Sequence, residues 1–246
     1  MFTSIMYDDD AYMGPPPTEA ERISMKRQKI NATVDHGIKA IFFDLHGVLI
    51  DVSGWHRVAL LSALQDFGYK VPIPRKDPVW HIYGGTWAQL EYLNGENRIG
   101  TLNMWGIYNR KQEYIFNIIE KRCKPEARLI DVMRYARSVG YRLAVVTNGG
   151  KFNSTKMLKA CGLYDHFEFI ITREDVGGQV KPHPRPYLEA RYKMGLMDDE
   201  ALVIDDTPRG IMSAVDADCR TWRLKKQEDL NVRNLMKVMH SFRITL

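Results

Sequence analysis

The chain has 246 residues, of which 45% are apolar, 26% charged and 11% aromatic, with a net charge of +5. That composition supports a buried core, which excludes disorder through most of the chain, and the length fits one domain with a large insertion as well as two. The longest apolar runs, such as ALVI and IIT, fall far short of the ~20 residues a membrane-spanning helix needs.

Residues 1–37 read as an N-terminal extension. The start, MFTSIMYDDDAYMG, lacks the basic and apolar regions of a secretory signal, and Asp8, Asp9 and Asp10 argue against a transit peptide. Cys123, Cys161 and Cys219 form no CxxC pair, so the expected setting is intracellular, in the cytoplasm, with reduced thiols. Pro15, Pro16 and Pro17 make a stiff connector, and Thr18 with Glu21 has capping-box spacing for a helix to about Ile30. The extension holds six acids against four bases, whereas residues 219–246 hold seven bases against two acids. Either segment is a candidate docking surface for a protein partner. The basic one can also meet nucleic acid, although a solvated helix face is the simpler use.

The body opens at about residue 38 with Ile41-Phe42-Phe43, a short buried strand running into Asp44. Residues 55–67 carry Leu60, Leu61, Leu64 and Phe67 at helical spacing and stop at Gly68. A Pro- and Gly-rich loop over 71–86 follows, then a longer helix around 102–121 with Met104, Ile107, Tyr108, Ile115 and Ile118 on one side. From Pro125 the pattern becomes regular. A helix (Leu129, Val132, Met133, Ala136) stops at Gly140, and the strand LAVV ends in Thr147-Asn148. A helix to Gly162, the strand FEFIIT and a helix from about Pro184 come next. The strand ALVI then ends in Asp205-Asp206, followed by a helix and the strand TWRL. Short apolar strands alternating with helices predict an α/β fold, a doubly wound parallel sheet, with core segments 38–54 and 136–246 and an inserted helical cap over 55–135.

In open parallel sheets ligands bind beyond the carboxyl ends of the strands. Polar residues stand at three such ends: Asp44, Thr147 with Asn148, and Asp205 with Asp206, and Lys181 lies between the last two. Singly, each has an ordinary structural use as a helix cap or turn residue. Converging, three carboxylates, a hydroxyl and an ammonium group would make a magnesium and phosphate site.

The segments IFFDLHGVLID, VVTNGG, KPHPRPYLEA and VIDDTPRGIMSAVDA resemble the four motifs of the haloacid dehalogenase superfamily, in order, with gaps of 103, 34 and 24 residues between Asp44, Thr147, Lys181 and Asp205. The resemblance covers about residues 38–240 and is nearest to the phosphoglycolate phosphatase and β-phosphoglucomutase-like branch. It implies a hydrolase acting on a small phosphorylated metabolite. Asp44 matches the nucleophile that becomes an aspartyl-phosphate, Thr147 the hydroxyl on the transferring phosphoryl group with Asn148 beside it, and Lys181 the charge-neutralising lysine. Asp206, with Asp205 as helper, matches the carboxylates that hold Mg²⁺ together with Asp44 and the main-chain carbonyl of His46. Gly84, Gly85 and Thr86, with the WAQLEYL that follows, resemble the substrate-specificity loop and helix of capped members.

His46 departs from the pattern. Phosphatases and mutases of the family have an aspartate there, which protonates the leaving oxygen and then activates water. Histidine titrates near neutrality and can replace it as acid and base. Alternatively turnover is lost and the fold serves as a noncatalytic binding or structural subunit of a larger assembly. Trp80, Trp87, Tyr83 and Tyr92 can stack on a base or sugar, although packing within the helical insertion is the simpler use. Because the extension lies outside the resemblance, deleting residues 1–36 is expected to leave the thermal midpoint nearly unchanged, and a large drop would show that it packs into the body.

Overall fold

The computed structural model describes residues 37–70, 73–74, 76–77, 79 and 85–243. The expected N-terminal helix and docking arm, Trp80, Tyr83 and Gly84 lie outside them.

Five parallel strands form one sheet in the order β3-β2-β1-β4-β5. They are β1 (Ala40–Phe43), β2 (Arg142–Val146), β3 (Phe169–Ile171), β4 (Ala201–Asp205) and β5 (Arg220–Arg223). The central strand β1 pairs on one side with β2, Phe43 opposite Val145, and on the other with β4, Phe43 opposite Ile204. Period-two alternation sends Ile41, Phe43, Leu143, Val145, Leu202 and Ile204 into one apolar cluster and Ala40, Phe42, Ala144, Val146, Ala201 and Val203 into the other. Both faces are therefore covered, as a parallel sheet requires.

Helices α1 (Trp55–Asp66), α2 (Gly85–Gly95) and α3 (Met104–Arg122) all fall between β1 and β2. Their outer ends share an apolar cluster of their own, with Leu60, Leu64, Leu90, Leu93, Met104 and Ile107. The near ends of α1 and α3 join the sheet cluster instead, through Trp55 and Ala59 and through Ile115, Ile119 and Cys123. The remaining helices are α4 (Ala127–Ser138), α5 (Lys151–Ala160), α6 (Arg185–Met194), α7 (Pro208–Asp216) and α8 (Val232–Arg243). α4, α5 and α8 cover one face of the sheet, and α6 and α7 the other.

One expectation needs correction. The boundary at 135 falls inside α4, whose Leu129, Val132, Met133 and Ala136 pack with the strands, so this helix is part of the sheet layers. An apolar stripe reveals that a helix is buried and says nothing about which neighbour covers it. The basic C-terminal segment keeps a solvated face with Arg233 and Lys237 exposed, while α8 seats Leu235 and Met239 in the sheet cluster. Cys123, Cys161 and Cys219 are buried free thiols. Among the described residues no helix is long and apolar enough to cross a membrane.

Leu235 is fully buried whereas Met236 is 50% exposed. Leu235→Ala is expected to lower stability by about 2–5 kcal/mol in urea denaturation, and Met236→Ala by no more than about 0.5 kcal/mol. Equal effects would mean that α8 does not dock as described.

Candidate active site at the strand ends

The sheet order puts the carboxyl ends of β2, β1 and β4 side by side, and the four polar motifs come together there. Lys181, 3% exposed, is their hub. Its Nζ donates to Asp44 Oδ1 at 2.6 Å and to Asp205 Oδ2 at 2.9 Å. Asp205 is held on every side: Tyr187 OH also donates to Oδ2 at 3.0 Å, and the backbone N–H and hydroxyl of Thr207 donate to Oδ1 at 2.9 and 2.8 Å. Its role in this arrangement is to orient Lys181 and the start of α7. Asp206 is left open, with Oδ1 buried and without a partner among the described residues. Its carboxylate lies so close to the turn after β1 that a Cβ at Gly47 would sit 2.3 Å from Oδ2. Gly47 also has φ +86°, so this position suits glycine for both reasons.

One ammonium group cannot balance three carboxylates. Burial raises Asp44 to about 7, with Asp205 and Asp206 adding to the rise and Lys181 opposing it. Burial and neighbouring Asp205 also raise Asp206. Burial works against ionising Asp205 as well, but Lys181 and the Thr207 donors hold it below the usual carboxylate range. Asp44, Asp205 and Asp206 each present an oxygen within 4.8 Å of the others. A hard oxygen set, an orphaned buried carboxylate oxygen and unbalanced negative charge fit a divalent cation such as Mg²⁺. The His46 carbonyl accepts no hydrogen bond among the described residues, which leaves it open as a further oxygen ligand.

Thr147 is buried at the end of β2, its Oγ1 accepting from Gly149 N at 3.1 Å, so the hydroxyl hydrogen remains available to another acceptor. The sequence reading gives Asn148 to the substrate, but its amide is turned to Lys181: Nδ2 donates to the Lys181 carbonyl at 3.1 Å and Lys181 N donates to Oδ1 at 2.9 Å. Asn148 thus positions the lysine. The His46 ring leans over the β2 turn, where a Cβ at Gly149 would lie 3.0 Å from its Cε1. Desolvation, reinforced by the Lys181 ammonium, lowers His46 to about 4.

The insertion meets these loops at two places. His56 of α1 stands edge-on to His46, with ring centroids 6.2 Å apart. At the start of α2, a Cβ on Gly85 would lie 2.7 Å from Nη1 of Arg173. Arg173, just beyond β3, donates to the Asn148 carbonyl. Thr86 accepts a hydrogen bond from Lys111, a buried lysine on α3. The sequence reading missed Lys111, Arg173, Tyr187 and the His46–His56 contact. For Lys111 the signal was present: it occupies a buried position between Ile107 and Ile115 in an otherwise apolar stripe.

A family model described as haloacid dehalogenase-like hydrolase matches residues 41–224. Phosphoglycolate phosphatase of Aquifex aeolicus is 29% identical over 185 residues, covering 75% of this chain and 83% of the relative. Pyrophosphatase PpaX of Bacillus pumilus is 25% identical over 197 residues, or 78% and 88% of the two chains. In fold, the crystal structure of β-phosphoglucomutase from Clostridium difficile matches with a TM-score of 0.66 at 17% identity, covering 84% of this chain and 99% of that one.

Mg²⁺ is expected to raise the thermal midpoint by several degrees once it is well above its dissociation constant, because a ligand at 100 times its Kd contributes about 2.7 kcal/mol. Asp206→Asn should abolish the rise. A parent protein whose midpoint ignores Mg²⁺ would contradict the cation site.

Proposed function

The chain belongs to the haloacid dehalogenase-like hydrolases, and on that footing we propose that it is a Mg²⁺-dependent phosphatase that hydrolyses a small phosphate ester through an aspartyl-phosphate on Asp44. The observation that carries this reading is the pairing of Asp44 with buried Lys181 beside the open carboxylate of Asp206. Asp44, Asp206 and the His46 carbonyl would hold the ion, with Asp205 fixed behind them. Bound there, the ion supplies the positive charge that lets a carboxylate approach an anionic phosphate.

Each residue then has a task. Asp44 attacks phosphorus as its carboxylate, held at one oxygen by Lys181 so that the other faces the substrate. The Lys181 ammonium offsets charge on the nucleophile and on the transferring oxygens, and the Thr147 hydroxyl donates to one of those oxygens. Asn148 keeps Lys181 in register. His46, whose neutral form is favoured by burial and by the Lys181 ammonium, is suited to accept a proton from the water that cleaves the aspartyl-phosphate. As a neutral imidazole it is a weak proton donor to a departing alkoxide. The reading therefore favours leaving groups of low pKa and slow turnover of alkyl phosphates.

Phosphate release from p-nitrophenyl phosphate is expected to exceed that from alkyl phosphates, and Asp44→Asn should abolish both. His46→Ala should lower turnover by about 10²–10⁴-fold, the ordinary contribution of a proton-transfer group. A base works above its pKa and fails below it, so failure of His46, lowered by burial and Lys181, should set in only well below the range of an ordinary histidine. An acid limb at higher pH should reflect ionisation of Asp44, which burial raises, and should persist in His46→Ala. His46→Asp should raise turnover of alkyl phosphates by restoring a carboxylic acid beside the nucleophile. A parent and a His46→Asp variant that both bind Mg²⁺ yet hydrolyse nothing would overturn the enzyme reading in favour of a noncatalytic binding or structural subunit.

A further inference from the structure

Across from the carboxylates, the insertion presents the opposite charge. Lys111 is 2% exposed, bonds the Thr86 hydroxyl and pairs with no carboxylate among the described residues. Arg173 likewise gives its hydrogen bonds to a main-chain carbonyl, that of Asn148, and has no acidic partner among the described residues. The charged groups acting on His56, between them and His46, are Lys111, His46 and Arg173, with no acid among them. Burial and the nearby guanidinium lower Lys111 to about 8. A buried cation next to another cation is costly unless an anion completes the set.

Next to these groups in the chain are three aromatic rings that touch one another. Trp87 directly follows Thr86, and Tyr108 lies one helical turn before Lys111 on α3. Trp105 stacks on Tyr108 with centroids 5.4 Å apart and an interplanar angle of 10°, while Trp87 meets both rings edge-on at 5.7 and 6.1 Å. Trp105 is 63% and Trp87 39% exposed. Tyr108 is half-buried and packs against the insertion's apolar cluster, which anchors the other two rings. Rings held against one another while exposed form a rigid platform with a free π surface, the kind of surface on which nucleobases stack.

We propose that the leaving-group side of the site is built for a nucleoside 5′-diphosphate, with its terminal phosphoryl group at Asp44, its inner phosphate on Lys111 and Arg173, and its base on the Trp87–Trp105–Tyr108 platform. Contacts link the three features in that sequence: His46, in the turn after Asp44, meets His56 edge-on, Lys111 and Arg173 act on His56, and Lys111 bonds Thr86, the chain neighbour of Trp87. The chemical step rests on the phosphatase reading above, whereas binding does not. In that step a bond forms between an Asp44 oxygen and the terminal phosphorus. The phosphorus–bridging-oxygen bond breaks, and its electron pair stays on the departing nucleoside monophosphate. Water then cleaves the aspartyl-phosphate, and the net products are the monophosphate, inorganic phosphate and a proton. The departing phosphate leaves as an anion beside two cations and needs no proton donor.

The test compares ADP (ring and inner phosphate), pyrophosphate (no ring) and AMP (no inner phosphate beside the transferred group). Binding to the full chain is read by calorimetry in the Asp44→Asn variant, and kcat/KM with Mg²⁺ is read in the parent. ADP should bind at least about 10-fold tighter than either of the others. Trp105→Ala should weaken ADP binding by about 5- to 100-fold and leave pyrophosphate within about 2-fold. Lys111→Met should weaken ADP and pyrophosphate together while sparing AMP. Because Lys111 is buried, Arg173→Gln serves as a second variant, and thermal midpoints check that each variant is folded. ADP binding with this pattern in a protein inert toward every ester would sink the phosphatase reading and support this one. Conversely, turnover of other esters with ADP bound no tighter than pyrophosphate, or unaffected by Trp105→Ala, would overturn this inference and leave the phosphatase reading standing. The platform would then be a surface for a protein partner.

Discussion

One buried ammonium group facing three carboxylates is the constraint on which the rest of this molecule depends. Lys181 reaches two of them directly, and everything around it serves to place it. Asn148 clamps its backbone from both sides, Tyr187 and Thr207 fix the Asp205 that it touches, and Arg209 donates to its carbonyl at 2.8 Å. Such a group is tolerable only because the sheet order puts β1 between β2 and β4, so that three strand ends deliver their polar residues to one place. Close packing there explains Gly210, where a Cβ would fall 1.9 Å from Asp205 Oδ2. The excess negative charge that remains is the physical case for a divalent cation.

Much of this was legible in the sequence, for a specific reason. A short apolar strand that ends in an aspartate announces both its burial and the edge at which that aspartate emerges, which places Asp44, Asp205 and Asp206 at strand ends. Thr147 and Lys181 were joined to them by the resemblance of the four segments to the haloacid dehalogenase motifs. What was illegible depended on partners distant in the chain. Asn148 looks like a substrate group until its amide is seen on the Lys181 backbone. Helix α4 has an apolar stripe that suits either layer, and only its contacts with Leu143 and Val145 of the sheet cluster assign it. Lys111 sits at an apolar register position, where it reads as an exception within a helix. Its meaning comes from Thr86 and Arg173, which are brought to it by the fold.

His46 gains a physical rationale from the same charge balance. An aspartate at this position would add a fourth carboxylate to a centre that already leaves Asp206 unpartnered and Asp44 partly protonated near neutrality. A neutral imidazole adds no charge, and its ring packs edge-on against His56, which ties the turn after β1 to the first helix of the insertion. That arrangement gives up a strong proton donor. Reactions whose leaving groups depart as stable anions do not need one.

The two sides of the crevice therefore divide the work by sign. The strand ends carry the carboxylates, while the insertion and the β3 turn carry Lys111 and Arg173, which have no acidic partner among the described residues. Were the two sides in direct contact, Lys111 and Asp206 could neutralise each other, and the site would close on itself as a structural ion pair. His46 and His56 meet edge-on where the insertion joins the turn after β1, and burial favours the neutral form of each. Each side is left with unsatisfied charge of its own sign. On the proposed reading, a molecule with a phosphoryl group at one end and a second anion beside it would satisfy both, the first through a cation held by the carboxylates and the second on the lysine and arginine. The insertion would then be as much a part of recognition as the strand ends are of chemistry.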